Sequence, residues 1–254
     1  MNIFGSQLNI VERSMLKNST NTKRIFPEET QLIEFGLALM WDLTQVTRNA
    51  KKDFSTKPNF YANTNLFGRN RELMLYAYFC MLSSNYGTQF VILRTVLENN
   101  NLMRLFNKNP KYAYEWLPKE YQERFSSEIK QEFQGSAEKR KFSPSYVRRK
   151  IFLETQQAPV KENIEEIYDF LCNYTHPNFL GWQEIMGLQG TDEVLLELPT
   201  LTANIDDAMK MILLLIQYSF NTLVKTFKGY WLGYAFLINE WQKKFLKLAN
   251  KYVK

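Results

Sequence analysis

The sequence predicts an all-α protein: a single multi-helix bundle of about eight helices. Three observations carry that prediction. Apolar residues recur at three- and four-residue steps over long segments, the spacing that puts them on one helix face. Only 10 Gly and 8 Pro occur in 254 residues, so the punctuation of a many-stranded β protein is missing. Hydrophobic residues make up 45% and aromatics 15%, enough for a sizeable core.

The elements follow in order. Residues 1–26 are polar and mixed, with a Ser19-Thr20-Asn21-Thr22 cluster, and are expected to form a loosely packed arm. Pro27 opens a helix to about Asn49, with Glu28 and Glu29 at the positive end of its dipole and Leu32, Phe35, Leu39, Leu43 and Val46 on its apolar face. Residues 50–68, with Pro58, Asn59, Asn63, Asn65 and Gly68, read as a linker. A helix over about Arg69–Tyr86 is apolar nearly all round (LMLYAYFCML) and so central; Gly87 breaks it. The next runs from about Thr88 to Asn107, with Pro110 beyond its end.

Residues 111–142 mix charges with aromatics, and Pro118 divides them into two short helices. A helix capped by Ser143, with Pro144 at its first position, comes next. Pro159 separates it from a helix over about Val160–Tyr174, which must stop at Pro177. A long connection leads to Asn204; within it Val194–Leu198 reads as a short strand or an apolar clamp. Asn204 caps a helix over Ile205–Phe227, and Gly229–Lys254 is the last segment. Residues 27–254 thus form one helical domain, with 109–150 as an insertion packed on its side.

Bulk properties bound the function. The net charge is +6, which favours an acidic partner such as nucleic acid or an ordinary solvated basic surface. Two cysteines, Cys80 and Cys172, cannot make a disulfide framework and suit a reduced interior. The N-terminus has no apolar run of signal-peptide length, and the strongest run, Met211–Ile216, is too short for a membrane span; a cytoplasmic protein with no membrane contact is expected. The chain lacks a phosphate-binding glycine loop, HExxH, CxxC and GxSxG. One histidine cannot build a multi-histidine metal site, so no metal or cofactor is expected.

Two constellations remain. Arg94 and Glu98 lie four apart on one helix face, within reach of an ion pair, among apolar neighbours. His176, the only histidine, sits where a helix ends, and Asn173 shares its face. Imidazole titrates near neutral pH and can serve as acid, base or cation. The plainer reading is a polar cluster that fixes helix register. Separately, Lys139, Arg140, Lys141, Arg148, Arg149 and Lys150 form a basic run without an acid, interleaved with Phe142, Tyr146 and Phe152, a composition that suits phosphates and bases or a solvated helix face.

The apolar helix bearing R-x-x-x-E (Arg94–Glu98), followed after an insertion by Y-x-x-L-x-x-Y-x-H-P (Tyr168–Pro177) and another long apolar helix, resembles uncharacterised bacterial proteins allied to the HEPN superfamily (higher eukaryotes and prokaryotes nucleotide-binding). The resemblance covers about residues 69–228. It implies a HEPN-like helical core, RNA or nucleotide as ligand, a homodimer or an antitoxin-like protein partner, and metal-independent ribonuclease chemistry in toxin–antitoxin or phage defence. Active members carry an arginine a few residues before the histidine on one helix. This chain departs from that pattern, with Asp169, Phe170 and Leu171 at those positions. The expected site is then His176, Arg94, Glu98 and Asn173. The alternative is a non-catalytic protein-interaction module with a structural Arg/Glu/His cluster.

Overall fold

The computed structural model describes residues 3–49, 57–133, 142–155, 165–172, 204–227 and 233–252. Among these residues there is no strand. Eleven helical segments form: α1 (Ile3–Ile25), α2 (Pro27–Asn49), α3 (Pro58–Leu82), α4 (Tyr86–Lys108), α5 (Pro110–Trp116), α6 (Lys119–Gln122), α7 (Ser127–Phe133), α8 (Pro144–Thr155), α9 (165–172), α10 (Asn204–Thr226) and α11 (Ala235–Tyr252). The all-α class holds, with more helices than about eight.

The centre is α3 packed on α4, with α10 against both. Side chains along this trio show why the register is unambiguous. Asn63 of α3 donates to Asn107 Oδ1 of α4 at 2.8 Å and to Thr226 Oγ1 of α10 at 3.2 Å. Seven residues on, Asn70 donates to Asn100 Oδ1 at 3.0 Å, and Asn100 donates to Ser219 Oγ at 3.0 Å. Asn99 Nδ2 adds a bond to Asn70 Oδ1 at 2.8 Å. Each helix supplies its residues a heptad apart, so the same face presents them twice. One further heptad leads to Ala77, Leu93 and Ile212, all fully buried. Two polar tiers followed by an apolar one can be satisfied in only one sliding position, because buried amides must find partners.

Outside the trio, α2 packs on α3 and α10, and α11 packs on α2 and α10. Trp241 fixes α11. It is fully buried, its Nε1 donates to Leu32 O at 2.8 Å, and its ring meets Phe220 edge-on at 5.2 Å and stacks on Phe245 at 5.4 Å. Gly36 makes room for it, since a Cβ there would lie 2.8 Å from Trp241 Nε1 and 2.9 Å from Ile216 Cγ2.

Three expectations change. The stretch read as an arm forms α1, packed on α2 and α3. Its polar composition hid the helix because polar contacts help to hold it: Lys23 Nζ donates to Glu34 Oε1 at 2.7 Å, the same oxygen that takes the Tyr78 hydroxyl at 2.7 Å. Residues 58–68 are not linker but the start of α3. Asn63 there is a core residue, Asn65 bonds back to Tyr61 O at 2.9 Å, and Gly68 lets Thr44 approach to 3.7 Å from where a Cβ would be. The break after α3 comes before Gly87, at Ser84 in left-handed backbone (φ 61°), and Asn85 caps α4 by accepting from Thr88 N at 3.3 Å.

Within 109–150, α5 packs on α3 and α4 and buries Tyr112, Ala113 and Tyr114, whereas α6 and α7 bury no residue. Ser143 caps α8 as expected, accepting from Tyr146 N at 3.3 Å. The expected strand or clamp at Val194–Leu198 lies outside the described residues. No helix among the described residues is long and apolar enough to cross a membrane.

Candidate anion-binding site

Arg94 leaves α4 where α8 and α9 come together. Phe90, one turn earlier, meets Phe170 of α9 edge-on at 5.1 Å, and Leu171 is fully buried. These apolar contacts seat α9 on α4 and bring Tyr168, three residues before Leu171, over Arg94. The Arg94 Nη2 donates to the Tyr168 hydroxyl at 3.0 Å, and its Nε donates to Glu98 Oε1 at 3.1 Å. The pair is partly sheltered, with side-chain exposures of 19% for Arg94 and 27% for Glu98.

A second guanidinium arrives from α8, which packs on α4. Arg148 lies flat on the Tyr168 ring, its guanidinium carbon 3.5 Å from the centroid; Arg94's is 5.2 Å away. The contact is a cation–π stack with Tyr168, itself only 7% exposed. The Nε of Arg148 is buried and has no hydrogen-bond partner among the described residues. An orphaned buried donor of this kind costs about 1–3 kcal/mol. Two guanidiniums therefore lie against Tyr168, and among the described residues only that of Arg94 is paired with a carboxylate, Glu98.

Titration follows from this setting. Burial opposes the charge of Arg94, but its hydrogen bond to Tyr168 and the nearby Glu98 carboxylate help to outweigh it and raise its pKa, so it stays cationic. Burial pushes Tyr168 above an ordinary tyrosine, partly offset by Arg94, so the phenol stays neutral near pH 7. The arrangement can bind an oxyanion: Arg148 offers unused planar donors, and guanidinium forks match phosphate and carboxylate oxygens.

The expected residues divide as follows. Arg94 and Glu98 pair as their spacing predicts. Arg148, assigned to a separate basic run, belongs beside Arg94. Arg149 is exposed, and Lys150 is half-buried with its ammonium 5.9 Å from the Tyr146 ring centroid. His176, Asn173, Lys139, Arg140 and Lys141 lie outside the described residues. Tyr168 was the residue without an assigned role, although it opens the Tyr168–Pro177 motif; a tyrosine among charged and apolar neighbours gave no separate signal. Among the described residues no group of three or more His, Cys, Asp or Glu could hold a metal.

A groove of about 450 Å³ between α2 and α11 is lined by Glu28, Gln31, Phe35, Lys244 and Lys247 over Leu32 and Leu248. Its charged side chains are exposed and mixed in sign, so it makes a weaker anion site than Arg148 and Arg94.

Comparison with protein-family models, curated proteins and solved structures gives no match to this chain.

Proposed function

We propose that this chain is a HEPN-like helical protein that binds RNA or nucleotides through phosphate, with Arg148 and Arg94 as the cationic contacts. The observation that carries the reading is the sheltered Arg148 guanidinium: stacked on Tyr168, with a buried Nε that no described residue accepts from. A cation held in that state is completed by an oxyanion. Glu98 and Tyr168 orient Arg94 from two sides. The resemblance adds His176 as acid, base or phosphate contact, oriented by Asn173. It also adds the expectation of metal-independent cleavage in a defence or toxin–antitoxin setting.

The test is a binding and cleavage assay on the full chain with labelled RNA at two salt concentrations. Arg148→Gln is expected to weaken binding about tenfold and to flatten its salt dependence, because one charged contact is removed. His176→Ala is expected to abolish cleavage while leaving binding. Arg148→Gln binding as tightly as wild type, at both salts, refutes the site. RNA left uncut by the wild type, but still bound, reduces the proposal to binding alone.

A protein-interaction module with a structural polar cluster is the second reading. It draws support from the bond between Arg94 of α4 and Tyr168 of α9, a tie between helices that an internal register-fixing pair would also make. On that reading Arg148→Gln changes thermal stability and no RNA affinity exists to lose.

A further inference from the structure

A third arginine stands on the same helix as Arg94. Arg104 lies ten residues further along α4, about 15 Å of axis and about 2.8 turns. Ten residues fall about 80° short of three full turns, so the two side chains leave α4 from adjoining faces rather than from one line. Between them, at steps of four and three, come Glu98 and Asn101.

Arg104 repeats the construction seen at Arg94. Its Nη1 donates to the hydroxyl of Tyr218, from α10, at 3.4 Å, and its guanidinium carbon is 6.0 Å from that ring. The Tyr218 proton is directed elsewhere, to Oδ1 of the buried Asn101 at 2.7 Å. The phenol oxygen is thus turned to accept from the arginine. Each α4 arginine is oriented by a neutral tyrosine hydroxyl from a different helix. Arg104 is half-buried, and no carboxylate among the described residues pairs with it. Preorganised guanidiniums lose less freedom on binding than exposed lysines.

We propose that Arg94 with Arg148, and Arg104 with Tyr218, are two phosphate subsites of one track along α4, and that the track's ligand is a single-stranded nucleic acid. This rests on the phosphate reading of the first subsite. The axial separation is about four times the charge spacing of about 3.4 Å along one strand of a duplex. A mononucleotide therefore occupies one subsite, and only a chain of several nucleotides occupies both. The tyrosines do not serve as base platforms: Arg148 covers the Tyr168 ring, and the hydroxyls of both are engaged. Recognition through phosphates alone is independent of base sequence. Half-buried cations on adjoining faces of one helix suit a flexible strand, which can bend to reach both where a rigid duplex cannot.

Fluorescence anisotropy on the full chain tests this with labelled oligouridylates from two to about 12 nucleotides, beside calorimetric titration of uridine monophosphate. Wild-type affinity must step up once the oligomer is long enough to reach both subsites; a flat length dependence overturns the track without any variant. Arg104→Gln is expected to weaken the longest oligomer about tenfold, to lower its salt slope by about one, and to leave the monophosphate unchanged. Arg148→Gln is expected to weaken both ligands. Arg104→Gln with wild-type oligomer affinity, beside a weakened Arg148→Gln, overturns the track and leaves the first subsite standing. Wild-type affinities in both variants overturn the first subsite and the track with it. Displacement by polyglutamate as effective as by oligouridylate, or preference for duplex, overturns the assignment to a single strand.

Discussion

Replacing Asn100 with Ala tests whether the polar tiers hold the core in register. Asn100 is fully buried, its Oδ1 accepts from Asn70 Nδ2 at 3.0 Å, and it exchanges bonds with Ser219 at 3.0 and 3.2 Å. Alanine removes the acceptor for Asn70 Nδ2 and both the donor and the acceptor that serve Ser219 Oγ. Two buried polar groups are left without these partners, at about 1–3 kcal/mol each. Alanine recovers at most about 0.7 kcal/mol of helix propensity. The net expectation is a loss of about 2–5 kcal/mol, a large share of the stability of an ordinary domain. Urea unfolding followed by circular dichroism measures it, with the slope checked for an unchanged transition. Removing both partners together should cost less than the sum. Asn70→Leu with Asn99→Leu, Asn100→Leu and Ser219→Ala replaces the tier, including the Asn99 amide that donates to Asn70 Oδ1, with apolar groups and should regain most of the loss. The Asn63 tier is seven residues away, about 10.5 Å, so its variants should add to those of Asn100 within about 0.5 kcal/mol. A loss below about 1 kcal/mol for Asn100→Ala refutes the reasoning, since the orphaned groups would then have found partners at no cost.

Two further outcomes concern the outer helices. Gly36→Ala adds a methyl 2.8 Å from Trp241 Nε1 and 2.9 Å from Ile216 Cγ2; overpacking of this kind should cost about 1–3 kcal/mol, outweighing the helix propensity gain, and a stability increase in urea denaturation would show that Trp241 yields freely. Glu34 gives the pH dependence. Burial raises its pKa, but hydrogen bonds from Lys23 and Tyr78 and the Lys23 charge lower it further, so the net shift is downward. A depressed folded value means that the contribution is present above the ordinary value of about 4.3 and is lost as pH falls below it toward the folded value. Melting temperature should drop through that acid range less in Glu34→Gln than in wild type, and parallel curves would remove Glu34 from the account.

The helical class and the Arg94–Glu98 pair were legible because both depend on local spacing, three to four residues at a time. The tiers were less so. Asn63 and Asn65 read as loop residues because asparagine competes with helix backbone when exposed; inside the core the Asn63 Nδ2 instead donates to α4 and α10, a fact of tertiary structure. The heptad spacings of Asn63 with Asn70, Asn100 with Asn107 and Ser219 with Thr226 were present in the sequence all along. They carry meaning only once three helices are set side by side. The α1 helix was missed for a related reason: its ties to Glu34 run through Lys23, and charged residues look like surface until their partners are known.

Arg148 shows how the same difficulty affects a site. In sequence it belongs to a basic run, where six like charges suggest a solvated face. In the fold the run divides: Arg149 points to solvent, while Arg148 turns inward onto Tyr168. Position on the helix decides this, since neighbours differ by about 100° around the axis. The inward residue is the informative one. An exposed arginine needs no acceptor beyond water, so its presence says little about a ligand. A sheltered arginine that stacks on a ring, with its Nε buried and unmet by any described residue, has lost water without gaining an acceptor. The Arg94–Glu98 pair does not resolve this, because that carboxylate already answers Arg94. The charge left over is that of Arg148. Binding measured with Arg148→Gln therefore separates function from register more sharply than any variant of Arg94, where loss of the Tyr168 tie would disturb α4 and α9 as well.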